Sequence, residues 1–316
     1  MSGDVIAVKK RGKLKLQGLG PLIGLILLVI VLSLTTDNFL SINNVFNVLR
    51  QVSINALLAF GMTFVILTGG IDLSIGSIFA LSSALTAGLM VGGTDTWLAV
   101  IVGVGAGALM GAVNGVLIAK GRLAPFIVTL ATMTIFRGLT LVYTDGKPIT
   151  GLNADFGFFG KGYFLKIPLP VIWMIIGFIV LYVILKHTTF GRRVYAVGSN
   201  EEATWLSGIS TTKVKVFVYS ISGLMAAISG LILTSRLNSA QPTAGAAYEM
   251  DAIAAVVLGG TSLAGGKGWI VGTLIGAVII GVLDNGLNLL NVSSFYQQVV
   301  KGAVILFAVL LDRSKK

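Results

Sequence analysis

The chain has no cysteine and a single histidine, and only 11% of its residues are charged. Without cysteine there are no disulfides, no thiolate nucleophile and no Cys-based metal site. His187 stands beside Lys186 at the edge of an apolar run, where an interfacial role outweighs metal ligation. No Ser/His/Asp arrangement or metal-ligand spacing occurs elsewhere, so the residues point away from an enzyme. The nearest approach to a phosphate-binding loop, Gly260-Thr-Ser-Leu-Ala-Gly265-Gly-Lys267-Gly268, has the wrong spacing from Gly260 to the lysine, and Gly268 stands where Ser or Thr would bind magnesium. If ATP energises this protein, the hydrolysis belongs to another subunit.

What the chain does have is apolar residues, 55% of the total, with 41 glycines and a mean hydropathy of +0.94. Most of it must sit in lipid. Apolar runs of about 18 to 24 residues recur along its length, which predicts an all-α polytopic membrane protein rather than a barrel of short alternating strands. Polar breaks divide the chain into ten candidate spans, at 19–36, 45–68, 74–93, 97–119, 123–144, 168–186, 214–235, 250–265, 269–291 and 295–311, the second and eighth being the weakest. The whole chain, 1–316, reads as one transmembrane domain with a basic tail at 1–18 and a polar loop at 188–213.

The net charge of +11 would raise the question of nucleic acid in a soluble protein. Here its distribution has a topological cause. With the amino terminus in the cytoplasm, that side receives Lys9, Lys10, Arg11, Lys13, Lys15, Lys120, Arg122, Lys186, Arg192, Arg193, Lys213, Lys215, Lys267, Arg313, Lys315 and Lys316. The opposite side keeps Lys147, Lys161, Lys166 and Arg236, while Arg50, Arg137 and Lys301 fall within spans. The positive-inside rule therefore predicts both termini and the 188–213 loop in the cytoplasm, with no nucleic-acid partner. The basic start differs from a signal peptide because the following apolar run is about 18 residues and lacks a small-residue cleavage site. A retained first span in a bacterial inner membrane is expected.

Leu67-Thr-Gly-Gly-Ile-Asp-Leu-Ser-Ile-Gly76 can be laid over Val257-Leu-Gly-Gly-Thr-Ser-Leu-Ala-Gly-Gly266, matching Gly69 with Gly259 and Gly70 with Gly260. Gly-interrupted spans at corresponding places in two halves are a mark of transporters built from internal repeats, and they border the pathway. Gly69, Gly70, Asp72, Gly259 and Gly260 are accordingly candidates for a gate or pathway. For Asp72 a helix N-cap role outweighs a proton relay. Asp284 and Lys301 interrupt apolar segments and read either as an interhelical pair or as a lysine snorkelling from a helix end. Gly103, Gly107 and Gly111, like Gly268, Gly272 and Gly276, form small-residue faces for close helix contact, within the bundle or across a dimer.

The polar loop at 188–213 contains its own helix signal. Ser199 followed by Glu202 is a capping-box pattern, and Gly208 falls where a helix of about two turns would end in a left-handed residue. Ala203, Leu206 and Ile209 would form a small apolar face, with Glu201 and Glu202 offering charge to a basic partner.

Glu202-Ala203-Thr204, three residues, then Gly208 is similar to the Glu-Ala-Ala, three residues, Gly pattern in the coupling loops of ABC importer permeases, with Thr204 in place of the second alanine. Further motifs are Gly-Gly-Ile-Asp-Leu-Ser-Ile-Gly-Ser at 69–77, Ala-Lys-Gly-Arg at 119–122, Ser-Ala-Gln-Pro-Thr-Ala-Gly at 239–245 and Leu-Gly-Gly-Thr-Ser-Leu-Ala-Gly-Gly-Lys-Gly at 258–268. On these motifs the chain resembles, over nearly its whole length, the permease subunit of bacterial ribose ABC importers.

The resemblance implies a homodimer with no cofactor of its own, a cytoplasmic ATPase carrying ATP and magnesium, and a periplasmic sugar-binding protein docked on the other side. It places ATPase coupling on Ser199, Asn200, Glu201, Glu202, Ala203, Thr204, Trp205, Leu206 and Gly208, with Thr204 adding a methyl and a hydroxyl to that contact. The segments from Asp145 to Lys166 and from Gln241 to Glu249 are long enough to receive the binding protein. An ion-coupled sugar carrier is the alternative, and the scarcity of buried carboxylates counts against it.

Overall fold

The computed structural model describes residues 20–313. The basic tail at 1–18 and Lys315 and Lys316 lie outside the described residues. Each of the ten apolar segments contains a helix: α1 (Gly20–Thr35), α2 (Ile42–Leu67), α3 (Ile75–Val91), α4 (Thr96–Ala119), α5 (Pro125–Thr144), α7 (Leu169–His187), α10 (Thr211–Leu237), α11 (Tyr248–Leu258), α12 (Ile270–Leu289) and α13 (Ser294–Arg313). Between them stand three short helices, α6 (Phe156–Lys161), α8 (Thr189–Ser199) and α9 (Glu201–Leu206). Four two-residue strands complete the described chain: β1 (Ile149–Thr150), β2 (Tyr163–Phe164), β3 (Ile167–Pro168) and β4 (Ser239–Ala240).

Six helices, α2, α4, α5, α7, α10 and α12, are long and apolar enough to cross a membrane. The second segment, weak by hydropathy, is a continuous helix of 26 residues whose most apolar stretch is 83% buried, against 28% for α5. Its polar residues lower its hydropathy because it lies at the centre of the bundle and faces protein rather than lipid. There Thr63 shares a hydroxyl–hydroxyl bond of 2.8 Å with Thr273 of α12. The side chains of Asn44 and Asn285 exchange amide hydrogen bonds of 2.9 and 2.8 Å. Helices α4, α5 and α7 turn large apolar side chains such as Leu109, Ile127 and Val180 outward, as lipid contact requires.

The eighth segment departs from expectation. Helix α11 has 11 residues, about 16 Å of rise against a hydrocarbon core of about 30 Å, so it cannot cross as a helix. Before it, residues 241–247 run in irregular conformation, and Arg137 in the middle of α5 donates to the carbonyls of Pro242 at 2.7 Å, Ala244 at 2.9 Å and Gly76 at 3.1 Å. Non-helical backbone at such depth is tolerated only where protein satisfies its polar groups, and one guanidinium here satisfies three carbonyls.

The glycine faces work inside the chain. Gly107 and Gly111 of α4 meet Gly223, Ala227 and the Tyr219 backbone of α10, so these two helices touch at their main chains. Gly272 and Gly276 likewise carry α12 against Gly259 and Ala255. Gly268 does not share that helical face, because it precedes the start of α12 at Ile270. Neither face remains for a dimer.

At the end of the bundle remote from α8 and α9, β1 pairs antiparallel with β4, and β2 pairs with β3. Helix α6 fastens this layer through Gly160, whose N–H donates to Ser235 Oγ at 2.8 Å.

Replacing Gly111 by Leu should place a side chain into the Tyr219 backbone and destabilise the fold by about 1–3 kcal/mol. Gly105, with nothing near its missing Cβ, is the control. Thermal unfolding of the purified protein should show a lower midpoint for Gly111→Leu and an unchanged one for Gly105→Leu; equal midpoints would contradict the main-chain contact.

Candidate functional site

Helix α2 stops at a pair of hydrogen bonds, Gly69 N–H to the Ile66 carbonyl at 2.9 Å and Gly70 N–H to the Val65 carbonyl at 3.1 Å, with Gly69 at φ +77°. Helix α11 stops in the same way, Gly260 N–H to Val257 at 2.9 Å and Thr261 N–H to Val256 at 3.2 Å, with Gly260 at φ +85°. These are glycine stops whose left-handed residue only glycine adopts without strain. Gly69 and Gly260 therefore hold the same place in their stops. Gly259, the expected match of Gly69, keeps a right-handed φ of −67° and packs on Gly272, so the overlay of Gly69 on Gly259 does not hold at this turn.

The two stops lie against each other. Gly266 N–H donates to the Leu67 carbonyl at 2.9 Å, and Gly265 abuts the Gly69 amide. Helix α8, which the sequence reading left inside the loop, presses on the same point. Its Gly198 faces the Leu67 carbonyl and the Gly266 amide so closely that no side chain fits there. Tyr195 Oη donates to the Gly268 carbonyl at 2.9 Å, while Val194 and Val197 are buried beneath the helix. Thr188 caps α8, its hydroxyl accepting from Gly191 N–H at 3.2 Å.

Helix α9 projects from this junction. Its cap is Asn200 and not Ser199: Asn200 Oδ1 accepts from Ala203 N–H at 2.8 Å, whereas Ser199 closes α8 and its hydroxyl donates back to the Tyr195 carbonyl at 2.9 Å. Gly208 adopts the expected left-handed conformation at φ +81°, with the same pair of stop bonds, Gly208 N–H to Trp205 at 2.9 Å and Ile209 N–H to Thr204 at 3.3 Å.

The side chains of α9 divide differently from the expected pattern. Thr204 is buried, and its hydroxyl donates to the Asn200 carbonyl at 2.7 Å, so it braces α9 against its own chain instead of adding to an outer contact. Glu201 pairs with Lys215 of α10 at 2.7 Å. Ile209 packs on the core. What remains outward is Trp205, 64% exposed, and Leu206, 71% exposed, with Ala203 and Glu202 beside them.

Asp72 does not cap α3, whose N-cap is Ser74. Fully buried, it accepts from the Ser74 N–H at 3.0 Å and hydroxyl at 2.6 Å and from Ser222 of α10 at 2.8 Å. Asn114 of α4 donates to the same Ser74 hydroxyl at 2.8 Å. Three helices are thus tied to the chain just after the first stop. Toward the other end, Lys301 Nζ lies 3.0 Å from Asp284 and 3.0 Å from Asp251, so the interhelical pair is a triad. Asp251 escaped notice because it sits in a short, otherwise apolar run; the acidic first turn of a helix was its signal.

Two helix stops thus meet beneath α8, and the exposed α9 projects beyond it. Residues 44–309 match the family described as branched-chain amino acid transport system / permease component. The chain belongs to that family. This permease is also 66% identical to the ribose import permease of Bacillus subtilis, over 95% of this chain and 94% of that one. It is 56% identical to the ribose import permease of Escherichia coli K12, over 93% of both chains, and 43% identical to the D-allose transport system permease of the same organism, over 91% and 89%. No solved structure matches it. The permease is a multi-pass membrane protein and a transport component rather than an enzyme.

Lys301→Met would strand two buried carboxylates and should cost about 3–5 kcal/mol. Adding Asp251→Asn and Asp284→Asn should recover most of that loss in denaturant unfolding of the purified protein. A triple variant as unstable as the single one would show that charge pairing is not what Lys301 supplies.

Proposed function

We propose that the permease is the transmembrane subunit of an ATP-driven importer and carries D-ribose, unmodified, across a bacterial inner membrane. The ribose assignment is supported by relatives at 55–66% identity over more than nine-tenths of this chain, all named ribose import permeases. The family description names branched-chain amino acids, but it is broad, and further relatives are named permeases for D-allose and L-arabinose.

The observation that carries the mechanism is the stack at one end: the exposed Trp205 and Leu206 of α9, α8 beneath them, and both helix stops beneath α8. In this reading a cytoplasmic ATPase holding ATP and magnesium receives Glu202, Ala203, Trp205 and Leu206 in a groove. Closure of the ATPases moves α9, and the α8 junction passes that movement to the Gly69–Gly70 and Gly259–Gly260 breaks, which act as the gate. Glu201 and Thr204 hold α9 on its own chain so that the arm moves as a unit with α8.

The rest of the assembly follows from this. The chain forms a single transmembrane unit of ten crossings, the eighth completed by irregular backbone, with an internal repeat relating the two glycine stops. Both termini and α8–α9 lie in the cytoplasm, and two copies form the pathway. A periplasmic sugar-binding protein docks on the β1–β4 layer, where the β2–β3 hairpin presents Phe164 and Leu165 at 59% and 80% exposure. The 241–249 segment is less suited to docking, because Arg137 draws part of it into the bundle.

Reconstitution in liposomes with and without the candidate ATPase and binding protein tests this directly. Labelled ribose should enter only when both partners and ATP are present; uptake by the permease alone would indicate an ion-coupled carrier and sink the proposal. Glu202→Arg should cut uptake at least tenfold while leaving membrane insertion intact, and unchanged uptake would remove α9 from the contact.

A further inference from the structure

A cavity of about 360 Å³ opens at the end of the bundle opposite α8 and α9. It is bounded by the starts of α2, α11 and α13 and the ends of α10 and α12. The N-terminus of the half-helix α11 points its first turn, with Tyr248 and Asp251, at this space. Discontinuous helices place substrate sites at such positions.

The lining is polar in a particular way. Carboxamides of Asn47, Gln51, Asn55, Asn288 and Gln297 surround the space, with Arg236 on the wall. Among the described residues Gln51 and Asn55 have no side-chain hydrogen bond within the chain. An amide carries both donor and acceptor, so such a wall suits a ligand that presents both from each of its groups, as a hydroxyl does.

The independent sign of a ligand is Asp284. It lines the cavity at 4% exposure, one of its oxygens bonds Lys301, and the other, Oδ1, is buried with no hydrogen-bond partner among the described residues. A buried carboxylate oxygen without a donor is a cost the fold carries unless something donates to it. A metal ion is a poor candidate, since the Lys301 ammonium already occupies the space between the two carboxylates and the described residues hold no group fit to bind a metal.

We infer that this cavity is a transit site for a polyol, in which Asp284 Oδ1 accepts a hydrogen bond from a sugar hydroxyl while the Gln51 and Asn55 amides, and the Nδ2 of Asn288 whose Oδ1 is held by Gln297, read neighbouring hydroxyls. The inference deepens the reading of the protein as a sugar permease and rests on it. As a stage in passage from a tighter binding protein, the site need bind sugar only weakly. Lys301 holds the two carboxylates apart and keeps Asp251 from competing for the donor.

Because the chain lacks cysteine, one introduced thiol reports on the site alone. Asn288→Cys and Gln51→Cys are each placed in the full complex in membranes and treated with a charged, impermeant methanethiosulfonate from the side opposite α8 and α9. D-ribose delivered by its binding protein should slow modification of both thiols at least threefold, and exchange of sodium for potassium should change nothing. Asp284→Asn should raise the KM of uptake at least tenfold while ATP hydrolysis stimulated by the binding protein persists.

Uptake of labelled D-ribose by the unsubstituted chain in the same preparation separates the two readings. Uptake without protection of either thiol overturns the transit site, as does modification that responds to the cation and not to sugar. If ribose uptake is absent, the ribose assignment fails, and protection measured against a panel of pentoses and hexoses decides the polyol site by itself.

Discussion

Much of this protein hangs on the hydrogen bond from the Gly266 amide to the Leu67 carbonyl. A chain that leaves helical conformation within a membrane must satisfy each exposed backbone group from inside the protein. Here two interrupted segments, far apart in sequence, do so partly by meeting each other. The approach is possible because Gly198, Gly265 and Gly266 bring no side chains to the meeting point, so three stretches of main chain come together. Helix α8, from which the polar arm projects, is consequently in direct contact with the two places where the bundle is discontinuous. Main-chain contact transmits displacement better than interdigitated side chains, which can absorb it by changing rotamer.

The positions of the helices were legible because lipid imposes one rule on every crossing: about 20 apolar residues and a polar break. Where that rule was relaxed, reading by hydropathy lost accuracy. Residues 250–265 are apolar enough to suggest a span, yet the helix ends at Leu258, and the backbone leading into it is irregular because Arg137, more than 100 positions earlier, satisfies its carbonyls. No local pattern announces such a partner. Arg137 itself was visible only as a charge within a span.

The finer errors have similar causes. Ser199 and Asn200 both have side chains fit to cap a helix; Asn200 does so because α8 runs on through Ser199, a helix that composition had hidden in a polar loop. Gly259 and Gly260 are chemically identical, and which of them turns left-handed depends on Gly259 being pressed against Gly272. Thr204 looked like an intrusion into a partner contact, but only three dimensions reveal which side of a two-turn helix faces home. Asp284 and Lys301 stood out by their cost in lipid, as a pair or as a lysine snorkelling from a helix end, while Asp251 stayed hidden in a run too short to seem costly.

Helix α10 has a consequence for the membrane around it. Its 27 residues rise about 40 Å, about 10 Å more than the hydrocarbon core, and the excess includes its start, where Thr211, Thr212, Lys213 and Lys215 are polar. Lys215 is also the residue to which Glu201 fastens α9. The height of the arm above the lipid is thus set by a pedestal whose lower edge is the first apolar turn of α10. A thicker bilayer cannot swallow that pedestal without burying lysine, so it must deform or tilt the helix instead, and the stance of the arm becomes a function of lipid thickness.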